Sequence, residues 1–425
     1  MMRVEGWGKA KISHFGEIIT GSTPDTKNLN YWGGDIPFVS PADFSSSIFV
    51  YKTDKTLTEQ GAKQARIVPE KSILVTCIGS IGGIAIVPRY CVTNQQINSV
   101  VCKENFDALF VYYLIRNNLF RLQELAGTTT LPIINKSTFS DIDLIYPKSK
   151  SEQEQIAAVL STIDRAIAQT EAIIAKQQRI KTGLMQDLLT KGIDEHGNIR
   201  SEATHEFKDS AIGRIPVEWE VENFIDACER VSVGIATSTT KYFQSEGVPL
   251  LRNQNILSGV FDLNELLYIS LDFDAINKSK RLKTGDLVTM RTGYPGRTSV
   301  TTSFMDGWQT FTTLISTPKK SKYRPDFLSV LMNSCVCRKQ ILTLQCGGAQ
   351  QNLNVGWLIK MKVFKPSIAE QTGILSVLNN IEKVIDSSSK QLQKLHHQKT
   401  GLMQDLLTGK VRVTELLKER EPASP

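Results

Sequence analysis

Lys-Thr-Gly-Leu-Met-Gln-Asp-Leu-Leu-Thr occupies residues 181–190, and the same ten residues return unchanged at 399–408. Setting Gly183 on Gly401 gives an offset of 218 residues that holds backwards without a gap. Glu152 and Gln153 fall on Glu370 and Gln371, Ile156 on Ile374, Leu160 on Leu378, Ile163 on Ile381, Asp164 on Glu382 and Ile167 on Ile385. Register kept this far is duplication, and a period of 218 residues exceeds any solenoid or propeller unit. The chain therefore reads as a globule followed by a helix, twice over.

Along the first helix Ile156, Leu160, Ile163, Ile167, Thr170, Ile174, Gln177, Leu184 and Leu188 recur at alternating spacings of three and four, which makes one apolar seam. Ile374, Leu378, Ile381, Ile385, Ser388, Leu392, Leu395 and Leu402 repeat it. Two matching seams in one chain predict a coiled coil. A helix of about 39 residues runs about 58 Å at 1.5 Å per residue, which outreaches a domain of about 150 residues and argues against two helices each lying on its own globule. Ser151 followed by Glu154 has the spacing of a capping box, Pro147 and Pro366 mark the approach to each helix, and Gly192 and Gly409 are the expected stops. The polar run 191–221 joins the first helix to the second globule.

The globules align more loosely. Residues 36–44 sit over 248–256, 73–87 over 286–300 with one residue of slippage, 94–101 over 308–315, and 127–147 over 347–366. Short β-branched runs between Gly, Pro, Asn and Ser clusters predict strands, while 106–126 and 324–342 each predict a helix. Framework positions agree between the copies and polar loop positions differ, so the two globules are expected to do similar jobs on different targets.

Composition sets the outer limits. The 425 residues exceed what one core needs. No stretch is apolar enough to span a membrane, and the N-terminus lacks the core of a signal peptide, which predicts a cytoplasmic protein. Seven scattered cysteines (Cys77, Cys91, Cys102, Cys228, Cys335, Cys337 and Cys346) form no Cys-x-x-Cys pair and read as reduced, mostly buried small hydrophobes. A formal charge of +7 suits a polyanionic partner without demanding one.

No catalytic constellation emerges. The glycines at 79, 82 and 83 follow an apolar strand but lack the Lys-Ser/Thr of a phosphate loop and the spacing of a dinucleotide site, and the counterpart at 293–296 has neither. That pattern fits a tight turn or hairpin. His14, His196, His205, His396 and His397 are dispersed, and no methyltransferase motif, nuclease carboxylate cluster or helicase pair is present.

The two helix repeats closing at 181–190 and 399–408, together with the segment from Phe207-Lys208-Asp209-Ser210 through Ile212-Gly213-Arg214-Ile215-Pro216 to Trp219, make the whole chain resemble the specificity subunit of a type I restriction-modification system. Residues 3–7 look like a truncated echo of that segment. The resemblance implies a fold of α/β (α+β) class: two similar target-recognition domains joined by two long antiparallel helices in a coiled coil, with internal pseudo-two-fold symmetry. The implied division is a first recognition domain at 1–148, a central helical region at 149–192, a linker at 193–211, a second recognition domain at 212–366 and a C-terminal helical region at 367–425. It further implies a non-catalytic protein that reads a bipartite double-stranded DNA target, one half-site per domain. Two modification subunits and two restriction subunits would be its partners, carrying the S-adenosylmethionine, ATP and Mg that this chain would not bind. The helices would act as a ruler for the spacer between half-sites, about 34 Å per turn of B-DNA, so that lengthening the chain around 190–192 would change the spacer alone. The alternatives are a fragment of a self-sufficient nuclease-methyltransferase, or a helical scaffold without DNA function.

Direct readout calls for Arg or Lys to guanine, Asn or Gln to adenine and Ser or Thr as adaptable groups, all on reachable loops. In the first globule the candidates are Thr20, Ser22, Ser40, Asp43, Ser80, Gln95, Gln96 and Thr129; in the second they are Arg252, Asn253, Asn255, Arg291, Tyr294, Arg297, Gln309, Gln351 and Asn352. Arg291, Arg297, Asn253 and Gln351 rank first because their counterparts differ in chemistry. Lys136 and Lys241 are expected on phosphates. The shared helix motif, with Gly183, Leu184, Met185, Leu188, Gly401, Leu402, Met403 and Leu406, is the expected docking surface for the modification subunits.

Overall fold

The computed structural model describes residues 4–45, 47–126, 132–345 and 352–413. It separates into two compact units, Met1–Ala172 with Ser389–Pro425, and Ile173–Ser388. The long helices Lys150–Leu188 and Ile368–Leu406 each contribute a stretch to both.

In the first unit an antiparallel sheet runs in the order Gly16–Thr20, Ile97–Cys102, Ile73–Thr76, Ile84–Ile86. A second sheet runs Lys55–Leu57, Trp32–Val39, Cys91–Thr93, Ile67–Val68, with its one parallel pairing between Trp32–Val39 and Cys91–Thr93. Trp7–Lys11 pairs with Asp143–Pro147 and leads the chain into the first long helix. The apolar faces of the first sheet and of helix Ala108–Asn117 close over Phe15, Val75, Phe110 and Phe139, and Ile156, Leu160 and Leu406 of the long helices, with Leu407 just past the second, join the same core.

The second unit repeats this plan. Cys228–Val233, Leu314–Pro318, Leu287–Thr289 and Thr298–Val300 form one sheet; Phe243–Gln244, Leu267–Ile269, Val248–Leu251 and Gln309–Thr310 form the other, again with one parallel pairing. Glu220–Asn223 pairs with Lys362–Lys365. The plans differ at one edge strand, Ile67–Val68 against Cys91–Thr93 in one unit and Phe243–Gln244 against Leu267–Ile269 in the other. The duplication therefore covers the globules as well as the helices.

Within each unit the two long helices run antiparallel. In the first, Asp164 pairs with Lys399 at 2.5 Å and Glu152 with Arg412 at 2.5 Å, so numbers climb on one helix as they fall on the other. In the second, Lys181 pairs with Glu382 at 2.6 Å, and the Ile193 amide donates to Glu370 at 3.0 Å. Asp164–Lys399 and Glu382–Lys181 are the same pair exchanged by the 218-residue shift.

Three local expectations are corrected. The residue capping the first helix is Ser149 rather than Ser151: its hydroxyl accepts from the Glu152 amide at 3.4 Å, as Ser367 does from Glu370 at 3.2 Å. Each single helix expected in the globules is two, Ala108–Asn117 then Leu119–Ala126, and Pro325–Met332 then Cys335–Gln345. Asn118 and Asn333 break them, turning their amides back onto the carbonyls of Leu114 and Ser329. The run 191–221 is more than a polar connection, since it forms the hairpin Phe207–Ser210 with Gly213–Pro216 and supplies buried Arg200 and Trp219.

Candidate nucleic-acid interface

Each unit holds its long helix to its globule by the same three side chains. In the first, the Glu152 carboxylate accepts from Trp7 Nε1 at 3.4 Å and from Arg412 Nε at 2.5 Å and Nη2 at 2.9 Å. In the second, Glu370 accepts from Trp219 Nε1 at 3.0 Å and pairs with Arg200. The next residue is a buried glutamine in both. Gln153 accepts from the Asp107 amide and donates to the Pro147 carbonyl; Gln371 accepts from the Arg324 amide and donates to the carbonyls of Lys322 and Pro366. Gly192 adopts φ +67°, and a Cβ there would lie 2.1 Å from Glu370 Oε1 and 2.5 Å from Trp219, which explains a glycine at this turn. These junctions fix where each globule holds its loops.

The candidate loops lie on that framework. In the first unit the strands Ile73–Thr76 and Ile84–Ile86 are joined by a tip in which Gly79 and Gly82 have positive φ; in the second, Gly293 and Gly296 take the same conformation between Leu287–Thr289 and Thr298–Val300. Backbone bonds register the two tips. Thr76 N donates to Gly83 O as Met290 N does to Arg297 O, and Gly82 N to Thr76 O as Gly296 N to Met290 O. Cys77, Ser80 and Gly83 thus correspond to Arg291, Tyr294 and Arg297.

The first-unit candidates are largely engaged within the protein. The Thr20 hydroxyl donates to Asn98, Ser22 accepts from the Arg66 amide, and Thr23 donates to Gln95. Gln96 accepts from Asn94. The Asp43 carboxylate accepts from the Ser40 amide and hydroxyl and from the Asp54 amide, so Ser40 and Asp43 build a turn. Ser80 and Gln95 are exposed, and Ser22 and Gln96 are half-buried. Thr129 lies outside the described residues.

In the second unit two candidates change role. Asn255 is 1% exposed; its amide spans the Arg252 amide and the Asp262 carbonyl in the turn that Ser40 and Asp43 make in the first unit. Gln309 is 0% exposed and donates to Asp274 and to the Asn277 carbonyl. Burial alone would push the Asp274 carboxyl up, but hydrogen bonds from Arg281 and Gln309 outweigh it and hold the group below the usual carboxylate range. Both residues hold the interior and leave the list of base readers. The sequence comparison had placed Gln309 three residues out of step: the parallel pairings set Thr310 against Thr93, which makes Gln309 the equivalent of buried Val92. Asn253 is also committed, accepting from the Arg291 and Thr292 amides and donating to Thr312.

What remains free is basic. Arg291 and Arg297 each shield Nε from solvent, and no hydrogen bond or ion pair reaches either guanidinium from the described residues. Arg297 stacks on the Tyr294 ring at 3.9 Å, and Tyr294 is 62% exposed. Arg252 also has a shielded, unpartnered Nε, though its Nη2 donates to the Glu265 carbonyl. Asn352 is half-buried, Lys136 and Lys241 are exposed, and Gln351 lies outside the described residues.

Comparison with known proteins shows what the chain resembles. Residues 4–178 match the type I restriction modification DNA specificity domain. The MjaVIII specificity subunit of Methanocaldococcus jannaschii is 27% identical over 97% of this chain and 94% of its own length. The MjaIX specificity subunit of the same organism is 30% identical over 60% of this chain, which spans 59% of that relative. The chain is thus similar to type I specificity subunits over nearly its whole length.

The fold likeness agrees. The S subunit from M. genitalium superposes with a TM-score of 0.55 at 14% identity, over 94% of this chain and 96% of the other; HsdS from Thermoanaerobacter tengcongensis gives 0.51 at 14% identity, over 96% and 98%. In this chain the shared helix motif is divided between two faces. Leu188 and Leu406 are buried in the core of their own units, and Leu184, Met185, Leu402 and Met403 are half-buried against the same cores. Internal contacts account for the identity of these leucines and methionines in both copies. Gly183 and Gly401 are exposed with nothing within 4 Å of a would-be Cβ.

Four of the described cysteines are buried as small hydrophobes, Cys102 is half-buried and Cys335 is exposed, and Cys346 lies outside the described residues. Burial pushes the Cys77 thiol up to about 11 and those of Cys91, Cys228 and Cys337 up to about 12, and all six described cysteines are free. Among the described residues no group of His, Cys, Asp or Glu could hold a metal ion, and no helix is long and apolar enough to cross a membrane.

Proposed function

We propose that this chain is the non-catalytic DNA-reading component of a type I restriction-modification complex, each globule reading one half of a bipartite duplex target while the long helices set the spacer and dock the modification subunits. The single observation that carries this is the pair of topologically identical hairpin tips with different side chains on a kept framework. One scaffold displaying two surfaces is what two half-sites require. S-adenosylmethionine, ATP and Mg belong in this reading to the modification and restriction subunits, and the complex works in the cytoplasm. The exposed Gly183 and Gly401 offer each modification subunit an equivalent place to bring its backbone close.

A gel shift on random and target-containing duplexes, with and without the modification subunit, tests the reading. Binding is expected to weaken steeply as salt rises, because phosphate contacts release counterions. Absence of salt-dependent DNA binding in both conditions would leave only the helical-scaffold alternative.

A further inference from the structure

We infer that Arg291 and Arg297 read guanine in the half-site of the second globule, and that the first globule reads no guanine from the equivalent loop. The inference rests on the proposed function and adds a base and two residues to it. Several other arginines of the second unit meet carboxylates, Arg200 with Glu370, Arg214 with Glu202, Arg230 with Asp286 and Arg281 with Asp274, while Arg252 reaches only the Glu265 carbonyl. Arg291 and Arg297 have no such partner among the described residues, although the Nε of each is shielded from water. A desolvated donor left unpaired is a cost to folding, and a bound acceptor would offset it.

The loop is also rigid. Asn253 clamps the amides of Arg291 and Thr292, the Met290 amide ties to the Arg297 carbonyl, and Gly293 and Gly296 supply the left-handed turns. The Tyr294 ring, 3.9 Å from the Arg297 guanidinium, fixes the plane of that side chain. A planar fork held at a protruding tip matches the O6 and N7 acceptors of guanine in the major groove. A phosphate can accept the same fork, and the selection below separates it from a base. At the matching positions the first unit has Cys77 and Gly83, neither of which can present a fork.

The test is selection from randomised duplexes with the full chain, wild type against Arg291→Gln, Arg297→Gln and Arg297→Lys. Wild type is expected to return a bipartite motif with guanine in one half. Each Gln variant should lower the preference for a guanine in that half about ten-fold or more, the discrimination of one bidentate pair, and leave the other half unchanged. Arg297→Lys, which keeps the charge and loses the fork, should weaken the preference less than Arg297→Gln does and hold its affinity for random DNA. A motif without guanine in the affected half, or variants that weaken all sequences alike around an unchanged motif, would overturn the inference and leave the proposed function standing. No bipartite motif from wild type would overturn both.

Discussion

At the helix starts, Trp7, Glu152 and Arg412 in one unit are repeated by Trp219, Glu370 and Arg200 in the other, a carboxylate accepting from an indole and a guanidinium in both. At the hairpin tips an equally well-matched backbone carries Cys77, Ser80 and Gly83 in one unit and Arg291, Tyr294 and Arg297 in the other. The two regions differ in what their side chains face. Those at the helix starts are spent on the protein itself, so both copies need the same carboxylate, the same indole and the same guanidinium. At the second tip the Arg291 and Arg297 guanidinium groups have no hydrogen-bond or ion-pair partner among the described residues, so no such bond ties their chemistry to that of the first.

The comparison breaks first, if it is wrong, at the helix starts. Glu370→Ala strands Arg200 in a site where the two side chains are only 8% and 10% exposed. Removing one member of such a pair costs about 3–5 kcal/mol, and Glu152→Ala should cost less, because Arg412 is 30% exposed and can turn to water. Denaturant unfolding measures both; a Glu370→Ala variant as stable as wild type would show that the junction does not hold the second unit together. A smaller change of opposite sign is expected at Gly183→Ala and Gly401→Ala. Each removes an exposed glycine from a helix interior with open space for the new methyl, so the isolated chain should gain about 1 kcal/mol per site. The same variants should weaken co-purification with the modification subunit if that face is used for docking. Arg297→Gln is expected to be the mildest for folding, within about 0.5 kcal/mol, because no internal bond to the guanidinium is lost.

Much of this was legible from the residues. The gapless 218-residue offset announced two long helices, and their seam residues Ile156, Leu160, Ile374 and Leu378 are buried as the spacing required. The Glu–Trp–Arg junction was hidden by geometry of the chain. Trp7 and Trp219, like Arg200 and Arg412, are 212 residues apart rather than 218, since the second globule has a longer run from its tryptophan to its helix, and the first helix a longer run on to its arginine, than the other copy. An alignment anchored on the helices therefore could not bring them together. The sheets were harder still: strands of two to four residues such as Gln309–Thr310 and Thr298–Val300 carry too few positions to fix register, and a slip of three residues moved buried Gln309 into a supposed loop. Asn253 and Asn255 looked like base readers for a related reason. A polar turn residue satisfying a neighbouring amide and one aimed at DNA are the same letter in a sequence.

Methylome sequencing of cells that express the chain with its modification subunit tests the central claim most directly. Two globules with one framework and two loop chemistries are expected to give a split methyladenine motif, its halves unlike in sequence and separated by a spacer of fixed length. A single continuous motif, two identical halves, or no methyladenine attributable to the chain would contradict it.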